Sequence, residues 1–264
     1  MSNQKLTSNL SRFFAGTVIV LAVVIGHLIY YFVLGDKANF DAEGHPKPGN
    51  ILAIMYKGGF IVPFLIALLI TVITIGIERF ITINRAKGKG SLELFVKKIK
   101  GMLSSGQIDS AIAECNSQKG SLANVMRCGL ERYRAVHNDD SMDKEAKEAA
   151  IQKELEEATA LELPMLSQNL PILSTAASIG TLIGLIGTVF GMIRAFAALA
   201  TAGQPDTAAL ATGISEALVN TAVGIVSSTF AIIFYNLFAT KIDALTYSMD
   251  EAGFSIMQTL KSKG

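Results

Sequence analysis

Four stretches of this sequence, residues 13–34, 60–77, 172–200 and 213–240, are long and apolar enough to cross a bilayer. A hydrocarbon core takes about 20 such residues in helical form. The last two stretches carry a second pattern. Thr175, Ser178, Thr181 and Thr188 punctuate one; Asn220, Thr221, Ser227, Ser228 and Thr229 punctuate the other. Lipid-facing helices gain nothing from such groups, so they point towards other helices or water. Gly180, Gly184, Gly187 and Gly191, with Gly224 on the next span, are small residues that let helix backbones come close. The pair reads as the wall of a membrane pore or a tight helix bundle.

The stretch between the second and third spans is too polar for a membrane, yet it keeps a helical period. Leu92, Phe95, Val96, Ile99 and Leu103 form one apolar stripe, and Leu122, Val125, Met126 and Leu130 another. Gly101, Gly106 and Gly120 are the expected helix breaks. From Ser141 onward Lys144, Glu145, Lys147, Glu148, Lys153, Glu154, Glu156 and Glu157 make a charged helix, read as a solvated face with partner contact as the alternative. Pro171 then opens the third span, where its missing N–H costs little.

Basic residues set the orientation. Arg79, Arg85, Lys87, Lys89, Lys97, Lys98 and Lys100 crowd the start of the middle region, whereas loop 201–212 has no Lys or Arg. The chain therefore divides into a cytoplasmic N-terminus (1–12), an extra N-terminal span (13–34) and an outward loop (35–59). A second span (60–80), a helical cytoplasmic domain (81–170) and a third span (171–200) follow. A short outward loop (201–212), a fourth span (213–241) and a cytoplasmic C-terminal tail (242–264) complete it. The expected fold is an all-α polytopic membrane protein with four transmembrane helices, the core helices extending into the cytoplasmic domain. The first span is read as an uncleaved anchor, because its apolar run exceeds the roughly 7–15 residues of a signal peptide.

Composition agrees: 50% of the residues are hydrophobic and 17% charged, and the net charge of +1 leaves no electrostatic case for nucleic acid. Cys115 and Cys128 lack C-x-x-C spacing and read as ordinary helix residues. No catalytic constellation, phosphate-cradling loop, metal-ligand cluster or cofactor motif appears, so the chain reads as a non-enzyme.

Candidate chemistry lies in the spans. Ser174, Thr181 and Thr188 recur every seven residues, and Thr221 and Ser228 repeat that spacing beside Gly224. Glu216, Asn220 and Ser227 form a neighbouring stripe. A hydroxyl both donates and accepts, so such rows can relay protons; the plainer alternative is a bond to each residue's own helix at i−4. Glu216 is the one carboxylate within the four apolar stretches, near the outer end of the fourth, and reads as a snorkelling group or an acid at the mouth of a path. Hydroxyls do not titrate near neutral pH, so a proton path needs a further carboxylate from another chain. His27 reads as an interhelical hydrogen bonder with proton relay as the alternative, and Arg194 as a snorkelling or carboxylate-paired group.

Gly184-Leu-Ile-Gly-Thr-Val-Phe-Gly-Met-Ile193 with Phe196 resembles the GLLGTVxGMIxxF segment of the ExbB/TolQ/MotA proton-channel family. Glu216-Ala-Leu-Val-Asn-Thr-Ala-Val-Gly224, closing with Tyr235-Asn236, is similar to that family's following span. Gly58-Gly59, Pro63 and Ile77-Glu-Arg79 resemble its first core span and cytoplasmic exit. The resemblance spans roughly residues 54–242 and leans towards ExbB over TolQ. It implies a bacterial inner-membrane homo-oligomer, commonly a pentamer, with N- and C-termini cytoplasmic and both short loops periplasmic. It further implies a single-span ExbD-like partner whose membrane aspartate supplies the missing carboxylate, and a TonB-like protein that receives the work. Thr188 and Thr221 match the family's pore threonines and Glu216 its acidic residue; Thr181 and Ser228 extend the expected pore lining. Two positions depart from the family: Thr181 and Phe230 stand where it usually has prolines, so hinges built on those prolines are absent here. Competing readings are a TolQ-like envelope subunit, a MotA-like stator, a self-contained transporter and a passive membrane scaffold.

Overall fold

The computed structural model describes residues 2–137, 139–201 and 207–261. The expected segments 1–12, 201–212 and 242–264 fall partly outside them, at 1, 202–206 and 262–264. The helices are α1 (Ser2–Leu28), α2 (Ile51–Tyr56), α3 (Val62–Ala86), α4 (Leu92–Ser104), α5 (Ile108–Gln118), α6 (Ser121–His137), α7 (Lys144–Ser167), α8 (Leu170–Thr201) and α9 (Thr207–Lys261). An isolated bridge between Phe40 and Pro46 is the one trace of β-structure among the described residues. Four stretches are long and apolar enough to span a membrane: Phe13–Leu34, Gly59–Ala86, Lys144–Ala198 and Thr207–Thr259. The chain is an all-α polytopic membrane protein.

Several elements run further than the periodicity suggests. Helix α3 continues past residue 80 to Ala86, and α9 begins at Thr207, inside the expected 201–212 loop. Thr207-Ala-Ala-Leu-Ala-Thr212 contains neither Gly nor Pro, so nothing local prevents a helix there. The expected tail is the end of α9, which buries Leu245, Met249, Ala252 and Ile256 at helical spacing.

Two compact units are built from this chain, and α3 and α9 contribute residues to both. The first comprises residues 1–77 and 169–236. In it α1 ends in a π-helical turn, Ile29–Leu34, closed by a Gly35 N–H to Tyr30 carbonyl bond of 2.9 Å. This turn presents Tyr30 and Leu34 to Val62 and Ile66, with Tyr30 stacked on Tyr56 at 4.7 Å and its hydroxyl donating to the Tyr56 carbonyl at 3.0 Å. Gly26 lets α1 lie close on α3: a methyl there would sit 3.1 Å from the Ala67 nitrogen. Beside it His27 meets Phe64 edge-on at 5.2 Å. Its Nδ1–H donates to the carbonyl of Val23 at 2.8 Å, so the expected interhelical bond is a bond within α1. The carbonyl four residues back is the nearest acceptor in an apolar setting.

The second unit comprises residues 78–168 and 237–264. Phe95, Ile99 and Leu103 of α4 and Leu122, Val125, Met126 and Leu130 of α6 are buried in it, while Leu92 and Val96 are half-buried. Gly101 is no break; α4 runs through it to Ser104. Gly88 and Gly120 do mark turns, with φ of +75° and +85°, where the chain after α3 crosses the α5–α6 turn against backbone. No residue with a Cβ fits that crossing.

Arg79 organises the end of α7. It is 2% exposed, and its Nη1 donates to the Met165 and Leu166 carbonyls at 3.3 and 3.2 Å. These carbonyls belong to the last turn of α7, which lacks intrahelical donors. The Glu78 carboxylate takes Arg79 Nε at 2.6 Å and Nη2 at 2.5 Å, neutralising the buried guanidinium.

Cys115 and Cys128 are free thiols. Burial pushes the Cys115 thiol up to about 12. The folded state holds this proton where the unfolded chain releases it. The resulting stability is complete below the ordinary thiol value and is lost as pH rises towards about 12. An alkylating reagent at about pH 8 is expected to leave Cys115 unmodified in the folded protein and to modify it in detergent-denatured protein, read by mass spectrometry.

Candidate functional site

Helices α8 and α9 meet along a seam without large side chains. On α8 Gly180, Gly184, Gly187, Gly191 and Ala195 are buried; on α9 Gly213, Ala217, Asn220, Gly224 and Ser228 are buried. Both series step by three or four residues and so occupy one helical face. A methyl on Gly184 would lie 3.1 Å from the Asn220 carbonyl, and one on Gly191 would lie 2.7 Å from the Ala217 nitrogen. Gly180 and Gly224 pack against each other's helix in the same way. The five glycines expected to pack all lie in this seam, and Gly213, Ala195 and Ala217 extend it.

Backbones this close bring the edge hydroxyls together. Thr188 Oγ1 and Thr221 Oγ1 are hydrogen-bonded to each other, and each lies within reach of the Gly184 carbonyl, at 3.2 and 3.4 Å. Seven residues away on both helices, Thr181 Oγ1 donates to Ser228 Oγ at 3.0 Å. The two pairs are two turns apart, about 10 Å. Each hydroxyl has one proton, so within the threonine pair one donates to its partner and the other to the carbonyl. Exchanging the two roles moves a proton position across the seam without displacing a heavy atom. Thr181 is exposed and Thr188 and Thr221 are half-buried, so the pairs lie at the edge of the seam.

Three other hydroxyls bond to a carbonyl of their own helix, Ser227 and Thr229 at i−4 and Ser174 at i−3. Ser174 donates to the Pro171 carbonyl at 3.0 Å, Ser227 to Val223 at 2.9 Å and Thr229 to Ile225 at 2.8 Å. Ser174 therefore does not join the row formed by Thr181 and Thr188.

Glu216 is buried, at 5% exposure, and not a snorkelling group. Its Oε1 takes Nη1 of Arg194 at 2.6 Å, and the guanidinium lies 5.8 Å over the Phe60 ring. A carboxylate out of water needs such a partner. Gly59, at φ +78°, presses against the same carboxylate, and a side chain there would collide with it. One residue earlier, the Gly58 carbonyl accepts from Asn220 Nδ2 at 2.8 Å. The turn before α3 is thus seated on the α9 face formed by Glu216 and Asn220.

Asn220 and the Gly58-Gly59 turn are the parts of this site that sequence reasoning underweighted. Their signal was present in the i, i+4 spacing of Glu216 and Asn220 and in the doubled glycine. Among the described residues no group of His, Cys, Asp or Glu side chains could hold a metal ion.

Residues 117–251, just over half of the 264, match the model of the MotA/TolQ/ExbB proton channel family. The chain belongs to this family. A proton-channel function follows from the membership, and the hydroxyl pairs of α8 and α9 lie inside the matched residues. No curated protein matches the chain. The family match begins in α5, so α1, α2 and α3 stand outside it.

Two outcomes follow. Gly191→Leu is expected to destabilise the protein by about 1–3 kcal/mol through overpacking, while Gly16→Leu, where a methyl meets nothing within 4 Å, leaves thermal unfolding in detergent unchanged. Arg194→Ala strands the Glu216 carboxylate and is expected to cost about 2 kcal/mol. Adding Glu216→Gln should recover most of that loss in a double-mutant denaturation cycle.

Proposed function

We propose that this chain is the channel subunit of a bacterial inner-membrane motor of the ExbB kind. It uses the proton motive force, with a single-span ExbD-like partner, to energise TonB-dependent transport at the outer membrane. The observation that carries the reading is the Thr188–Thr221 hydrogen bond across the α8–α9 seam, with Thr181–Ser228 two turns away. In this reading the pairs relay protons, and Glu216, held by Arg194, lies on the neighbouring stripe of α9, nearer its N-terminal end.

A further feature supports a shared channel. Ser178 and Thr181 are exposed on the surface of α8, next to exposed Leu182, Leu185 and Val189. Hydroxyls on a lipid-facing surface are unfavourable, so this face is expected to meet other helices. Further copies of the chain, a pentamer by resemblance, and the partner helix cover it. Apart from Glu216, α8 and α9 bring no Asp or Glu between Leu170 and Asn236, so the partner's membrane aspartate supplies the group that titrates. The N- and C-termini face the cytoplasm, following the basic residues of the middle region.

Proton uptake into proteoliposomes tests this. Flux is expected from the chain with its single-span partner, and not from the chain alone or with the partner's aspartate changed to asparagine. Thr188→Val and Thr221→Val are expected to lower the flux at least tenfold without loss of assembly. Undiminished flux in both variants would sink the relay, and flux from the chain alone would point to a self-contained transporter.

A further inference from the structure

Asn220 is completely buried, and half of its amide has no use in the fold. Nδ2 donates to the Gly58 carbonyl at 2.8 Å, which fixes the amide's orientation, because the reverse would set two oxygens against each other. Oδ1 then accepts nothing from the described residues. A buried acceptor without a donor is costly. A staple for the Gly58-Gly59 turn needs only the donor half of this side chain.

The surroundings of Asn220 are polar on both sides. Glu216 lies one turn earlier on the same face of α9, a separation of about 5–6 Å between Cβ atoms. Its carboxylate rests on Gly59, the neighbour of the residue that Asn220 holds. On the other side Thr221 follows directly in sequence and is bonded to Thr188, and Gly187, which precedes Thr188, packs on the Asn220 side chain. The amide therefore stands between the carboxylate and the threonine pair. A water needs two to four polar partners to be held in a protein interior.

We propose that Asn220 is a positioning residue of the proton path, its Oδ1 accepting from a water that joins the Glu216 carboxylate to the Thr188–Thr221 pair. The inference rests on the relay reading above. The water donates one proton to Oδ1 and one to the carboxylate, and accepts from the threonine hydroxyl that otherwise donates to the Gly184 carbonyl.

The test is proton flux, followed with a pH-sensitive dye, in proteoliposomes holding the chain and its single-span partner. Asn220→Leu keeps the branched skeleton and removes both polar halves; flux is expected to fall about tenfold while the complex assembles. Asn220→Asp keeps the acceptor and, when protonated, the donor. Its flux is expected to gain a dependence on pH that the unaltered complex lacks while its thermal stability stays constant over the same range, whereas a staple alone loses stability as the carboxyl ionises and sets two oxygens against each other. Unaltered flux in Asn220→Leu overturns the proposal, and so does an Asn220→Asp complex with the original pH profile. If Asn220→Leu does not assemble, the Asn220→Asp profile decides; if neither assembles, the amide is a staple and the proposal fails. Thr188→Val separates the two ideas. Reduced flux there with full flux in Asn220→Leu removes only the water, whereas full flux in Thr188→Val removes the relay.

Discussion

Between α8 and α9 the distance is set by hydrogen atoms rather than side chains. Ordinary helix pairs keep their axes about 8–10 Å apart because side chains fill the contact. Here glycine and alanine occupy the contact on both helices, from Ala195 opposite Gly213 to Gly180 opposite Gly224. In a bilayer no hydrophobic gain drives helices together, so close van der Waals contact over such a seam is a main source of association. The short side chains at its edge depend on that closeness. Thr188 and Thr221 reach each other only because Gly184 and Gly187 let α9 come near, and Thr181 reaches Ser228 only because Gly180 and Gly224 do the same.

Polar groups in this apolar chain are handled in three ways, and the differences separate structural from functional use. Ser227 and Thr229 return their protons to their own helix, which leaves them neutral in packing. Arg79 and Glu78 form a closed set with the final carbonyls of α7, so that a buried charge also finishes a helix. Glu216 and Arg194 are a pair with one buried and one half-exposed member, the arrangement in which a charge is held yet stays within reach of a further group. The family match covers this pair and the hydroxyl seam but leaves out the Gly58-Gly59 turn that rests on Glu216.

The spans and the helical middle region were legible in the sequence because each depends on local periodicity. Twenty apolar residues in a row have one stable fate in lipid, and glycines at three- and four-residue spacing on one span predict a tight face whatever they meet. Partnership was not legible, because it depends on which face of one helix meets which face of another. Ser174 sits in register with Thr181 and Thr188, yet it bonds to the Pro171 carbonyl of its own helix. Glu216 reads by position as a snorkelling group or an acid at the mouth of a path, and it is the packing of Arg194 and Gly59 around it that leaves it buried and ion-paired. Helix ends were decided the same way. Residues 242–261 are helical where α9 buries Leu245, Met249, Ala252 and Ile256 within the second unit, a long-range effect that no window of sequence contains.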